Sequence, residues 1–165
     1  MKITRLGIVC MVAASLIAVG SSAYSQDKKA AGSAHGIVRS GDLKWMPIIK
    51  GCELAPVGGD PAAEGTPFVV RFRCTAGTVI PAHWHPTDEN LTVLQGTFQV
   101  GMGDKYDATK LDTMNPGSFA TMPKEMHHYA SCMTACVVQV HGAGPFKVNW
   151  TNPGAVIPPD AKPAK

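Results

Sequence analysis

The chain has 165 residues, 45% of them hydrophobic and 16% charged, with fifteen Lys and Arg against twelve Asp and Glu. Two of the fifteen basic residues and none of the acids fall in the first 25 positions, so the remainder is almost neutral, with thirteen basic side chains against twelve acidic. No basic cluster is left to neutralise a row of phosphates, and composition therefore argues against nucleic acid as a partner.

In chain order, residues 1–25 have the character of a secretory signal. Lys2 and Arg5 make a short basic start, Leu6 to Gly20 is apolar, and Ala23-Tyr24-Ser25 supplies a small-x-small cleavage pattern near Ser25. The apolar run is short for a membrane helix, which needs about 20 residues. The expectation is a periplasmic or secreted protein without a stable membrane anchor. About 140 residues follow, enough for one core and one domain. Cys10 leaves with the signal, and the four cysteines that stay are Cys52, Cys74, Cys132 and Cys136. An even number in an exported chain reads as two disulfides, with four buried thiols as the alternative.

Residues 26–43 are small and polar without periodicity, a flexible lead-in in which His35 is solvated. Residues 151–165 are rich in proline and unsuited to a sheet interior. Between them, 44–150 holds short β-favouring runs broken by Gly, Pro and Asp: "ELAPV", "PFVVRFRC", "GTVIPAHWH", "NLTVLQG", "TFQVGMG", "GSFATMP", "HHYASC" and "CVVQVHG". Eight such runs predict an all-β barrel or sandwich. "LQGT" and "SCMTAC" read as hairpin connections, and "YDATKLDTM" (106–114) is the one short helix candidate. If "CELAPV" pairs antiparallel with "VVRFRC", Cys52 falls opposite or near Cys74, and Cys132 would face Cys136 across a tight turn.

Chemistry concentrates in "AHWHPTDENLTVLQG". Strand residues two apart share a face, so His83 and His85 project together and Glu89 follows a short bend. Two imidazoles and a carboxylate suit Fe, Mn, Zn, Ni or Cu and leave open positions. An H-x-H pair alone is equally a polar strand face. His141, at the end of "VVQVHG", either faces the cavity or bonds backbone, and Phe98, Val100 and Tyr129 are candidates to line a pocket. Met102, Met122, Met126 and Met133 are read as lining or packing residues. The Asn90 sequon lies inside the site stretch and is discounted. Nucleophile-elbow, phosphate-loop and dinucleotide motifs are absent from the sequence.

The spacing Gly77-x5-His83-x-His85-x3-Glu89-x6-Gly96 resembles the first motif of the cupin superfamily at every defined position. Gly117-x5-Pro123, counted on to His128, is similar to the second motif, with Glu125 in place of a turn glycine and Cys132 in place of asparagine. The resemblance covers about residues 66–146 and extends to small, single-domain, often exported bacterial cupins. It implies a cupin double-stranded β-helix, or jelly-roll barrel, holding one divalent metal through His83, His85, Glu89 and His128. His127 is the rival to His128, but neighbours in a strand point to opposite faces and only one can enter the cavity. Two functions stay open. One is a metal-dependent enzyme, a dioxygenase, isomerase or lyase acting on a small organic molecule. The other is a non-catalytic periplasmic module that binds or senses a metal or ligand, with homodimers common in the superfamily. The metal, the substrate and the reaction are not specified by these residues.

Overall fold

The computed structural model describes residues 36–158. Residues 1–25, read as a secretory signal, with Cys10, His35 and residues 159–165, lie outside the described residues. The whole described fold belongs to the compact unit that begins at Ile37.

Eleven strands form two antiparallel sheets. They are β1 (Met46–Ile49), β2 (Cys52–Gly58), β3 (Pro67–Cys74), β4 (Val79–Trp84), β5 (Glu89–Gln95), β6 (Phe98–Met102), β7 (Asp112–Met114), β8 (Phe119–Met122), β9 (His128–Cys132), β10 (Cys136–Ala143) and β11 (Asn149–Trp150). One sheet has the order β1-β2-β3-β10-β5-β8, and the other β11-β4-β9-β6-β7. This is the all-β jelly-roll class expected, with helix among the described residues confined to three short 3-10 turns.

Alternation builds the core. In β3 Phe68 and Val70 are buried, with Arg71 and Arg73 on the other face. In β10 Val138 and Val140 are buried and Gln139 points out to meet Arg71. The register sets Val140 opposite Val70 on one side and Leu91 of β5 on the other. Both sheets thus turn one apolar face inward, the arrangement that lets two sheets share a core. β9 departs from alternation, being buried at all five residues. Its outward Tyr129 is covered because Gly101 of the neighbouring β6 leaves room: a Cβ there would lie 2.3 Å from the tyrosine ring.

Several expectations are corrected. The described residues form eleven strands rather than eight, because β1, β7 and β11 are edge strands of two to four residues, too short to show a pattern. "YDATKLDTM" is no helix: it gives a 3-10 turn at Ala108–Lys110, capped by Asp107, and then β7. "LQGT" and "SCMTAC" are not hairpins. β5 and β6 lie in different sheets, as do β9 and β10, so both turns carry the chain across the core. Gly96 serves the first crossing at φ +76°, where a Cβ would meet the Ala135 carbonyl at 2.1 Å. The disulfides Cys52–Cys74 and Cys132–Cys136 are both formed.

Candidate metal centre

Proline and strand register place the histidines. The β4–β9 ladder slips between Ile80 and His83, beside Pro81, which has no N–H to give it. After the slip His83 lies directly opposite His128, their ring centroids 4.2 Å apart. His85 follows one residue beyond β4. Each imidazole bonds a backbone carbonyl through Nδ1: His83 to Pro81 at 2.7 Å, His85 to Lys147 at 3.0 Å and His128 to Met126 at 3.0 Å. A carbonyl only accepts, so Nδ1 carries the proton in all three rings; Nε2 of His83 and His85 is left with its lone pair, while Nε2 of His128 faces the Glu89 carboxylate. The three histidines offer ring nitrogens that lie within 4.8 Å of one another, and all three are buried.

Glu89 arrives from the opposite sheet, as the first residue of β5. Its Oε2 lies 3.2 Å from Nε2 of His128 and 3.6 Å from Nε2 of His85. His85 Nε2 is buried without a hydrogen-bond partner. A buried orphan of this kind is costly unless something binds it. Three nitrogens and a carboxylate oxygen, preset by their carbonyl partners, fit a divalent transition metal.

The electrostatics favour the ligand forms. Burial, helped by the charge of His128, pushes His83 down to about 3 against the pull of the Pro81 carbonyl. Burial also lowers His85, opposed by Glu89. For Glu89 burial acts upward, but the His128 hydrogen bond and the nearby imidazoles outweigh it, and the carboxyl stays below its ordinary value. For His128 burial acts downward, and the Glu89 carboxylate overcomes it, raising the imidazole. His83 and His85 are therefore neutral, and Glu89 ionised, near neutral pH.

A single turn orients two of the four. Glu125, at φ +62°, donates its N–H to the His85 carbonyl at 2.8 Å, and the next carbonyl, of Met126, takes the His128 Nδ1 proton. Lys124 N–H adds a bond to Asp88 Oδ1 at 2.8 Å, tying this turn to the loop between His85 and Glu89. Glutamate thus adopts the left-handed conformation that the motif's glycine would supply, and the turn is kept. A side chain there costs about 1–2 kcal/mol, partly offset by the greater unfolded-state freedom of glycine. Glu125→Gly is expected to raise stability by about 0.5–1 kcal/mol in urea denaturation. A loss of stability would show that the glutamate side chain contributes to the turn.

The other predicted residues separate cleanly. His127 points to the opposite face, paired with Asp104 and stacked on Trp84 with ring centroids 6.2 Å apart. His141 does not reach the cavity: its ring lies near Phe119, and its carbonyl accepts from Asn90 at 3.3 Å. Phe98, Val100 and Met122 line the cavity. Tyr129 does not, because it sits one residue from His128 and faces outward, while Met102, Met126 and Met133 are exposed. Two residues were missed. Phe146 stacks on His85 at 4.5 Å, and Trp150 of β11 lies 5.2 Å from His83. Their signal was faint: two aromatics in "GPFKVNW", after the last recognisable strand run.

A cavity of about 300 Å³ opens between the sheets at this cluster. Its polar wall consists of His83, His85, Glu89 and His128, with Cys52 and the Trp150 indole; every other wall residue is Ile, Leu, Val, Ala, Met or Phe. A family model described as the ChrR cupin-like domain matches residues 33–147. The chain is a cupin of that family. No curated protein matches the sequence. Solved structures agree on the cupin fold. A candidate acetylacetone dioxygenase from Methylibium petroleiphilum has 18% identity and TM-score 0.56, over 74% of this chain and 87% of that one. The polyketide cyclase RemF from Streptomyces resistomycificus has 20% identity and TM-score 0.55, over 69% and 83%. KdgF from Halomonas sp. has 18% identity and TM-score 0.53, over 66% and 94%. At these identities the likeness is one of fold, and the chemistry of this cupin has to be argued from its own cavity.

Proposed function

We propose that this cupin is a metal-dependent enzyme acting on a small organic molecule with an apolar body and an oxygen-bearing head. His83, His85, Glu89 and His128 would hold one divalent transition metal, which when bound supplies a Lewis-acid or redox centre. The observation that carries the reading is the asymmetry of the cavity. Its ionisable groups converge at one place, and the remaining wall is apolar except for Cys52 and the Trp150 indole N–H. Ordinary ligand sites are mostly apolar with a few convergent polar groups, and this one is an extreme case.

The wall dictates how a ligand would lie. Phe72, Leu91, Val138 and Phe146 bury its body, while the four polar residues receive its head. Among the described residues no Lys or Arg lines the cavity, so a second carboxylate on the ligand would be desolvated without a partner. This separates the site from one for small dicarboxylates and favours diketones, enols or phenols.

The test is to load the purified protein separately with Fe(II), Mn(II), Ni(II), Cu(II) and Zn(II) and titrate each form with an alkyl-substituted β-diketone and with oxalate. The β-diketone should bind at least about 10-fold more tightly, consistent with burying one or two extra apolar groups. Equal or tighter oxalate binding would overturn the reading. Loss of diketone with time, abolished in His83→Ala, would establish catalysis. A second reading rests on a specific observation: among the described residues no general acid or base lines the cavity apart from the four clustered residues. Binding without turnover under any metal would support that module, a sensor or carrier. We also propose export, supported by the basic start, apolar run and cleavage pattern of residues 1–25. Recovery of a periplasmic form starting near Gln26 would test it.

A further inference from the structure

The four cysteines are arranged more closely than two independent staples require. Cys52 on β2, Cys74 on β3 and Cys136 on β10 are successive register partners, one row across three adjoining strands with Cys74 in the middle. Residues directly opposite in a sheet share a face, so the three side chains point the same way. Cys132 reaches the row from β9 in the other sheet and is bonded to Cys136, while Cys74 is bonded to Cys52. The Sγ atoms of Cys74, Cys132 and Cys136 all lie within 4.8 Å of one another. Two bridges that served stability alone would have no reason to touch.

A surface hollow of about 490 Å³ lies against the row, whose cysteines are all buried. Cys52, Cys74 and Cys136 all contribute to its wall, beside Arg73, Thr75 and Gln95. Cys52 also belongs to the wall of the cavity that holds His83 and Glu89. Cys52, at one end of the row, therefore stands between the hollow and the cavity.

We propose that the hollow is a thiol–disulfide exchange site for a dithiol, and that the two bridges act as one relay in which Cys74 exchanges partners between Cys52 and Cys136. A thiolate of the dithiol attacks Cys136 Sγ from the hollow and expels Cys132 as a thiolate. The second thiol of the reductant then attacks its own sulfur in the mixed disulfide, leaving as a cyclic or linked disulfide and releasing Cys136 as a thiolate. Two electrons have passed to the protein, and the dithiol is oxidised. Cys136 next attacks Cys74 Sγ, forming Cys74–Cys136 and breaking Cys74–Cys52, so Cys52 leaves as a thiolate that takes a proton. The row sets the attacking and leaving sulfurs on opposite sides of Cys74, as displacement at sulfur requires. The net result is one bridge, Cys74–Cys136, and two thiols, Cys132 and Cys52, the latter in the wall of the cavity that holds His83 and Glu89.

The test uses the oxidised wild-type protein, folded and free of oxygen, with one equivalent of dithiothreitol. Exchange is quenched with acid, free thiols are alkylated, and the protein is digested without reduction. Cleavage at Lys and Arg puts Cys52, Cys74 and the Cys132/Cys136 pair on three separate peptides. The expected product has Cys52 and Cys132 alkylated and the Cys74 peptide linked to the Cys136 peptide. Alkylation of Cys132 and Cys136 together, or of Cys52 and Cys74 together, without that link would overturn the relay, as would resistance of both bridges. In Cys132→Ser the same migration should occur with no reductant, giving a mixture of Cys52–Cys74 and Cys74–Cys136 forms. A single Cys52–Cys74 form in that variant, with Cys136 fully alkylated, would contradict the proposal independently.

Discussion

Replacing His128 by Ala is expected to lower affinity for a divalent transition metal by more than about 100-fold, the upper end of what is lost when only a ligand's outer partner is removed. The reason is geometric. His83 and His85 come from one stretch of chain, and closing a face around an ion needs a third nitrogen from elsewhere, which β9 supplies directly opposite His83. His83→Ala and His85→Ala should lose affinity to the same degree, since each ring is already fixed by its own carbonyl and none is redundant. His127→Ala should stay within a few-fold of the parent, because that ring lies on the outer face against Trp84 and Asp104. Glu89→Ala should retain a weaker site, as three imidazoles suffice for zinc or copper. Competition with a chromophoric chelator measures the parent and all five variants. A His127→Ala protein that loses its metal while His128→Ala keeps it would show the site to be on the other face.

Acidifying the metal-free protein from about pH 7 to about pH 4 is expected to destabilise it, with His83 the main cause. The unfolded imidazole titrates near its ordinary value of 6.5 and the folded one at about 3. Between those values the unfolded chain binds a proton that the folded protein refuses, so stability falls as pH falls. The contribution of His83 is present in full above 6.5 and is lost progressively down to about 3, on the order of a few kcal/mol. His85 and Glu89, both lowered, act in the same direction. His128, raised by Glu89, acts oppositely: its contribution is present in acid and fades as pH rises through its folded value. Urea denaturation at a series of pH values checks the sum. His83→Ala should flatten the acid limb, and an unchanged limb would mean that this imidazole is not held neutral by burial.

Much of this architecture was legible because β-favouring runs broken by Gly, Pro and Asp are a strong local signal. "PFVVRFRC" gave β3 at its true bounds, and the motif spacing brought His83, His85, Glu89 and His128 to the positions where the two sheets converge them. Local signals fail where the outcome is decided by partners distant in sequence. A Gly-Thr turn reads the same whether the next strand returns beside its predecessor or crosses to the other sheet, so β5 to β6 was misread. Edge strands such as Asn149–Trp150 are defined by pairing with β4 rather than by their own residues. Phe146 and Trp150 escaped notice for the same reason: only tertiary folding sets them on the His85 and His83 rings. Glu125 shows the converse, a residue that breaks the expected pattern while the backbone keeps it.

The most direct test of the central claim is a crystal structure of metal-loaded protein with data collected on both sides of the metal's absorption edge. The account predicts one strong anomalous peak, bonded by Nε2 of His83, His85 and His128 and a carboxylate oxygen of Glu89. A peak at the cysteine row or beside His127 and Asp104, with none among those four side chains, would contradict it.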